Sequence, residues 1–266
     1  MGVFVDARRH NPGKGSEKEM YREITAFLLG SVIGSFLSVC IFRIPRGESI
    51  ITPASHCPTC GSKINWYDNI PIVSYIVLLG RCRSCKCRIS PVYPTVELLT
   101  ATSFLILVRR YGIRPDLFIM AALTSALIVI SFIDLKHHVI PDIIVYPGMV
   151  VGAAWVLGRH WNDILYYFIG WLLGGGILYL AAVASKGGMG GGDVKLGAML
   201  GLFAGWEKIL VALFLSFLLG SIVGLILIAL GKKGRKDPIP FGPFLSIGGF
   251  ISIIWGTGIW DWYMGR

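Results

Sequence analysis

The chain has 266 residues, of which 54% are hydrophobic and only 15% are charged. A soluble globular domain carries about 25% charged residues, so this composition excludes an ordinary soluble protein and indicates a polytopic membrane protein. The formal net charge of +10 would suit a nucleic-acid binder, but the basic residues lie between apolar segments. They are better explained as topology signals, so no nucleic-acid partner is expected.

Apolar segments along the chain predict an all-α fold with about eight transmembrane helices. A helix needs about 20 residues to cross a bilayer, and five segments reach roughly that length. The first is expected to be a retained helix, because it is long, follows a polar tail and lacks a clear A-x-A cleavage site. The longer segments are 24–42, 117–133, 164–184, 209–230 and 244–260; the shorter or less uniform ones are 96–108, 143–157 and 196–206.

These segments divide the chain into a polar tail (1–23), a first transmembrane helix (24–42), a polar loop domain (43–94) and a seven-helix membrane core (95–266). With eight alternating spans and the tail set aside, 14 basic residues fall on one side of the membrane and 6 on the other. The positive-inside rule places the richer side in the cytoplasm, together with the loop domain. Both termini are then expected outside.

The loop domain contains two C-x-x-C pairs. Cys57 and Cys60 form the first pair, and Cys82 and Cys85 form the second, with 21 residues between them. Each pair presents two thiolates from one tight turn, so the spacing predicts a tetrahedral structural zinc site. Two disulfides or a redox pair are the alternative, which a reducing cytoplasm disfavours. Cys87 could replace Cys85, although a C-x-x-C pair makes the better turn.

Two aspartates lie at predicted helix ends on the predicted cytoplasmic side. Asp134 directly follows the span 117–133, and Asp193 follows the glycine-rich stretch GGMGGG after the span 164–184. Two carboxylates that meet cannot both ionise, so one can deprotonate a water while the other polarises a scissile carbonyl, as in an aspartyl protease. The alternative is structural: Asp134 ends one helix and Asp193 caps the sixth.

Further charged residues lie close to the same helix ends. Asp142 follows Pro141 and is expected to cap the fourth helix, although it stays a reserve candidate for the acid pair. Glu97, at the start of the second span, either favours the helix dipole or faces a polar cavity. Lys136 and Lys195 either hold a charge partner or extend to the membrane interface.

In combination, these motifs resemble the bacterial type IV prepilin peptidases, also called prepilin leader peptidase/N-methyltransferases. The resemblance rests on the glycine-rich Gly190–Asp193 motif, on Asp134 in DLKHHVIPD, and on the C-P-x-C and C-R-x-C pairs followed by ISPVYPTVE. It extends from about Ile24 to the last helix. The order and spacing of the motifs carry it, since no single one of them is decisive.

The resemblance implies a multi-pass aspartic endopeptidase of the bacterial inner membrane, active at its cytoplasmic face. Its membrane-embedded substrates would be type IV prepilins and the pseudopilins of type II secretion, cut after the glycine that ends a short basic leader. It also implies N-methylation of the new N-terminus with S-adenosylmethionine. The residues that bind this donor are unknown from the sequence, and polar groups on the cytoplasmic loop, or Glu97, are the candidates for the methylation site. The family's catalytic aspartates match Asp134 and Asp193, and its zinc ligands match Cys57, Cys60, Cys82 and Cys85.

Two other classes of protein remain open at this point. One is a membrane methyltransferase without protease activity, in which the aspartates are structural. The other is a transporter, because helices interrupted by glycine and acids at membrane depth also mark ion pathways. The cysteine loop argues against a transporter, which would not need it.

Overall fold

The computed structural model describes residues 12–185, 188–234 and 237–265. Within these ranges the protein has eight α-helices and no β-strand, only two isolated bridges in the cysteine-containing loop. All helices except the short α2 are long and apolar enough to cross a membrane, which confirms the all-α multi-pass fold. The helices are α1 (Pro12–Arg43), α2 (Val73–Val77), α3 (Val92–Tyr111), α4 (Pro115–His137), α5 (Asp142–Arg159), α6 (Ile164–Ala184), α7 (Gly191–Ala229) and α8 (Gly242–Tyr263).

Helix α7 is 39 residues long and reverses direction at Gly205. The backbone there is non-helical, with φ +75° and ψ 175°, a conformation that favours glycine. Gly174 of α6 lies against both Gly197 and Ile209. A straight helix would separate those two residues by about 18 Å, so the chain must turn back between them. The two arms of α7, 191–204 and 206–229, correspond to the predicted spans 196–206 and 209–230, so seven helices account for the eight predicted spans.

Small residues allow the helices around this hairpin to pack closely. Gly170 and Gly174 of α6 face Gly201 and Gly197 of the first arm, and their backbones leave no space for a side chain. The second arm runs antiparallel to α8, where Gly248 lies against Ser216. Close packing of small residues replaces the hydrophobic driving force that is missing between helices in lipid.

Residues 44–91 connect α1 to α3, and the end of the bundle that carries them is called the loop end. Lys136 Nζ, in the last turn of α4, lies 5.2 Å from the ring centre of Phe42 in α1. Lys195, near the start of α7, binds Asp142 at the start of α5 with an Nζ–Oδ1 distance of 2.7 Å. Both contacts show that α4 ends, and α5 and α7 begin, at the loop end.

The first helix begins earlier than the sequence analysis places it. Helix α1 starts at Pro12, so residues 12–23 of the predicted polar tail belong to this helix. In this segment Glu23 accepts two hydrogen bonds from Arg109 of α3, at 2.8 and 2.7 Å. This ion pair connects the polar part of α1 to the facing helix. Residues 1–11 of the predicted tail lie outside the described residues.

Candidate functional site

Asp134 lies in the last full turn of α4, at the loop end, and is only 5% exposed. Its Oδ2 atom accepts a 2.9 Å hydrogen bond from the backbone N–H of Gly242, the first residue of α8. A Cβ atom on Gly242 would lie 2.7 Å from that oxygen, so only glycine allows this approach. The carboxylate therefore sits at the positive end of the α8 dipole, which stabilises its negative charge.

Asp193 is the third residue of α7 and is 8% exposed. Its Oδ2 atom accepts a 3.2 Å hydrogen bond from the backbone N–H of Gly190, which is the N-cap residue. Asp193 is therefore not the N-cap itself, as the structural alternative supposed, but it contributes to capping with one oxygen. A capping side chain does not need to be buried, so capping alone does not explain why this carboxyl group is removed from solvent.

Helices α4, α7 and α8 bring the two aspartates together at the loop end. Ile140, in the turn that follows α4, is buried and lies against Gly192 of α7. The carboxyl groups of Asp134 and Asp193 are close enough to interact electrostatically. Two buried carboxyl groups in one apolar environment are costly unless they share a proton, and this is the condition that acid–base catalysis by a pair of aspartates requires.

The neighbouring charges have a different arrangement. Asp142 is the first residue of α5 and makes no capping hydrogen bond, so it is not the expected helix cap; Pro141 is the N-cap residue. Asp142 instead forms the ion pair with Lys195, and its side chain is 53% exposed. Lys195 thus has the charge partner that the sequence offered as one alternative. Among the described residues, the only buried acids are Asp134, Asp193 and Glu97.

The four predicted zinc ligands form one cluster in the loop. The sulfur atoms of Cys57, Cys60, Cys82 and Cys85 all lie within 4.8 Å of one another. The Cys57 and Cys85 sulfurs are 3.8 Å apart. A zinc ion with four Zn–S bonds of about 2.3 Å requires sulfur separations of about 3.8 Å, so this donor set fits tetrahedral zinc. Cys87 Sγ also lies 3.6 Å from Cys57 Sγ, which keeps Cys87 a competing ligand.

Each pair of cysteines belongs to a tight turn whose backbone prepares a thiolate. The backbone N–H groups of Cys60 and Thr59 lower the pKa of the Cys57 thiol to about 6. The N–H groups of Cys85 and Ser84 likewise lower the pKa of Cys82. Thiolates are the form that binds zinc, so the turns favour metal binding before the ion arrives.

Two contacts that were not predicted from the sequence hold the loop in place. Arg83 makes a bidentate ion pair with Asp68, at 2.8 Å from Nε to Oδ2 and 2.6 Å from the guanidinium Nη2 to Oδ1. The Ile72 N–H donates a 2.7 Å hydrogen bond to Oε2 of Glu97 in α3. The only signal for the second contact was an isolated acid at the start of an apolar span.

Comparisons with known proteins identify both halves of the chain. Residues 28–111 match the Bacterial Peptidase A24 N-terminal domain, and residues 121–225 match the Type IV leader peptidase family. The first match contains the four cysteines and Glu97, and the second contains both aspartates. No solved structure matches the chain.

Curated relatives match the chain over nearly its whole length. A prepilin leader peptidase/N-methyltransferase of Pseudomonas aeruginosa is 35% identical over 91% of this chain and 93% of its own length. A prepilin leader peptidase/N-methyltransferase of Aeromonas salmonicida is 36% identical over 90% of this chain and 92% of its own length. Another from Bacillus subtilis is 35% identical over 90% of this chain and 96% of its own.

Proposed function

The chain belongs to the type IV leader peptidase family, and on this premise we propose that it is a bifunctional prepilin leader peptidase and N-methyltransferase. It removes the short basic leader of type IV prepilins and pseudopilins after a glycine. It then methylates the new N-terminal amine with S-adenosylmethionine as the methyl donor. The observation that best supports the peptidase activity is the pair of buried carboxyl groups, Asp134 and Asp193, at the loop end.

The backbone around the two aspartates suits a hydrolytic mechanism. One oxygen of each carboxyl group is held by a backbone N–H, from Gly242 for Asp134 and from Gly190 for Asp193. In the described part of the chain no hydrogen bond reaches the Oδ1 atoms. One carboxylate takes a proton from a shared water, and the other, protonated, donates to the carbonyl oxygen of the scissile peptide. The water oxygen attacks the carbonyl carbon, and the C–N bond breaks when the amide nitrogen receives a proton.

The location of this pair fits the proposed substrate. A prepilin presents a basic leader followed by an apolar helix, so its cleavage site lies where the membrane meets water. We assign the loop end to the cytoplasmic face of the bacterial inner membrane, because the basic residues of the chain collect there. The substrate helix approaches through the bilayer, and its leader extends toward the loop domain. Gly191, beside which a Cβ would meet no atom within 4 Å, leaves space for an extended substrate backbone.

Zinc has a structural role in this proposal. Cys57, Cys60, Cys82 and Cys85 would hold one ion with four protein ligands, which would cross-link the two turns and supply no catalytic chemistry. The four cysteines would in this way organise the loop domain, 43–94, against the membrane core, 95–266. Hydrolysis then depends on the aspartates alone, and the metal and the peptidase site can be tested separately.

The decisive experiment measures leader removal from a purified prepilin by the detergent-solubilised or liposome-reconstituted protein. Asp134→Asn and Asp193→Asn should each reduce the cleavage rate by about 10³-fold or more, because each removes one member of a unit that works together. Asp163→Asn, at the opposite end of the bundle, is the matched control and should cleave normally. Cleavage by either catalytic variant at the control rate would sink the assignment of the pair.

A further inference from the structure

Glu97 is the one buried acid in the described chain that the peptidase mechanism does not use. It lies near the start of α3 and is 7% exposed. Among the described residues it forms no ion pair with lysine, arginine or histidine, in contrast to Glu23, Asp68 and Asp142. An ionisable group at membrane depth without a cationic partner is costly and marks a functional position.

The surroundings of Glu97 satisfy only part of its carboxylate. The backbone N–H of Ile72 donates to Oε2 at 2.7 Å, and the side chain of Ser35 in α1 lies beside the carboxylate. Gly34 allows α1 to approach this turn of α3, since a Cβ there would lie 2.7 Å from the Glu97 Cα. Two uncharged donors, the Ile72 N–H and the Ser35 hydroxyl, therefore face the carboxylate, and among the described residues no cation balances its charge.

The residue that covers Glu97 has a strained backbone. Ile72 has φ 63° and ψ −51°, and the Val73 N–H donates to the Pro71 carbonyl at 2.6 Å. This is a γ-turn with a positive central φ, which is rare and unfavourable for a β-branched residue. The backbone N–H that binds Glu97 thus belongs to a strained turn of a surface loop.

Glu97 and Asp134 lie at the same end of the molecule, separated by a single apolar cluster. Val96 and Ile133, their immediate chain neighbours, belong to the same group of buried side chains, together with Leu37 and Ile41 of α1. Asp134 is three residues from the end of α4 and Glu97 is five residues after the start of α3, so both lie near the loop end of the bundle.

We propose that Glu97 binds the α-ammonium group of the newly cleaved membrane helix and accepts its proton during methyl transfer. This inference rests on the proposed N-methyltransferase function. The ammonium proton passes to Glu97, and the free amine nitrogen then attacks the sulfonium-bound methyl group of S-adenosylmethionine. The C–N bond forms as the C–S bond breaks, and the donor leaves as a neutral thioether. Protonated Glu97 then releases its proton to water, which restores the carboxylate.

The first test separates binding from turnover and needs no mutation. A leaderless pilin peptide with a free N-terminus and the same peptide with an acetylated N-terminus are titrated against the wild-type protein in detergent. A buried carboxylate partner should make the free amine bind at least about tenfold more tightly. Equal affinity for the two peptides would overturn the proposal, whether or not the protein cleaves prepilin.

The second test uses Glu97→Gln, which keeps an oxygen acceptor for the Ile72 N–H but removes the charge. We expect methylation to fall by about 10²-fold or more, cleavage to stay within about twofold because the aspartates are unchanged, and the preference for the free amine to disappear. Glu48→Gln, an exposed loop acid near Arg46, is the control and should methylate normally. Normal methylation by Glu97→Gln, or a retained preference for the free amine, would contradict the proposal.

The two tests distinguish failure of this inference from failure of the proposed function. If wild-type protein does not cleave prepilin, the aspartate assignment fails, while the peptide titration still reports on Glu97. If Glu97→Gln loses both cleavage and bound metal, its fold is damaged, and the wild-type titration alone decides. A wild-type protein that prefers the free amine but does not methylate it would contradict the proton-acceptor role of Glu97.

Discussion

The cysteine cluster and the aspartate pair lie at the same end of the molecule but are constructed in opposite ways. The four cysteines lie within residues 57–85, and each turn is closed by its own backbone, through Cys57 N–H to the Ser62 carbonyl and Cys82 N–H to the Cys87 carbonyl. The aspartate pair depends on three long helices, and the Asp134–Gly242 hydrogen bond joins residues 108 positions apart. A local site can tolerate changes in the bundle, whereas a site assembled by the bundle cannot.

The largest effect should follow loss of a metal ligand. Cys57→Ser and Cys85→Ser should each lower the zinc content of the purified protein from about one ion per chain to near zero, because a structural site needs all four thiolates. Metal analysis by mass spectrometry measures this directly. Some leader removal should survive in both variants if the two sites are independent.

Cys87→Ser is the matched control for the metal ligands. Its sulfur is as close to Cys57 as that of Cys85, but it lies outside the C-x-x-C pair. We expect Cys87→Ser to keep its zinc. The opposite pattern, with zinc lost in Cys87→Ser and kept in Cys85→Ser, would show that Cys87 and not Cys85 is the fourth ligand.

The second prediction perturbs the aspartate pair through the bundle. Gly242→Ala places a methyl group 2.7 Å from Asp134 Oδ2, so the carboxyl group must move. A displacement of about 1 Å at a catalytic group costs about 10²-fold in rate, and we expect cleavage to fall by that order while zinc content is unchanged. Gly258→Ala, on the same helix with no atom nearby, should behave as wild type. Parallel loss of zinc in Gly242→Ala would show that the sites are not independent.

A smaller effect is expected from the ion pair between Asp142 and Lys195, which lies near the aspartate pair. Asp142→Asn removes the partner of Lys195, but both side chains are partly exposed, and exposed pairs contribute about 1 kcal/mol or less. Cleavage should therefore fall by less than about tenfold, and added salt should reduce the difference from wild type. A loss of cleavage as large as that expected for Asp134→Asn would indicate that Asp142 takes part in catalysis.

The smallest effect concerns the ion pair within the loop. Arg83 lowers the pKa of Asp68, so their pair stabilises the loop above the ordinary pKa of a carboxyl group and is lost as pH falls through the lowered value. At neutral pH, Asp68→Asn should increase proteolysis of the zinc-loaded loop by about twofold. The difference between variant and wild type should shrink on acidification; a difference that grows would contradict this assignment.

The same contrast explains what the sequence could predict. The cysteine cluster could be predicted from the sequence because each C-x-x-C pair forms its own turn. Asp134 and Asp193 were identifiable as acids at the ends of apolar spans, but nothing in their local sequence shows that α8 approaches Asp134. Gly242 was missed for that reason: its importance is a distance to a residue 108 positions away. The bond from Ile72 to Glu97 was missed similarly, because it depends on the path of an irregular loop.

The span count shows where length alone succeeds and where it does not. Eight apolar segments were recognisable from hydropathy, and their alternation already required a turn between 206 and 209. That this turn is a single non-helical residue, Gly205, was not recognisable, since glycine is frequent throughout this chain. The tail boundary was misjudged because polar residues at 12–23 continue a helix beyond its apolar part. Hydropathy reports the lipid-exposed part of a helix and not the full helix.

The reversal at Gly205 also has a consequence for the surrounding lipid. The first arm of α7, 191–204, is about 21 Å long, which is shorter than the hydrocarbon thickness of about 30 Å. Glu207 and Lys208 follow the bend directly and need water or headgroups at that depth. The bilayer should therefore be thinner beside the first arm of α7 than beside α1, as hydrophobic mismatch requires. The arm that carries Asp193 should then lie where the bilayer is locally thinner. The acyl-chain length of the lipids should therefore affect the depth at which this arm lies.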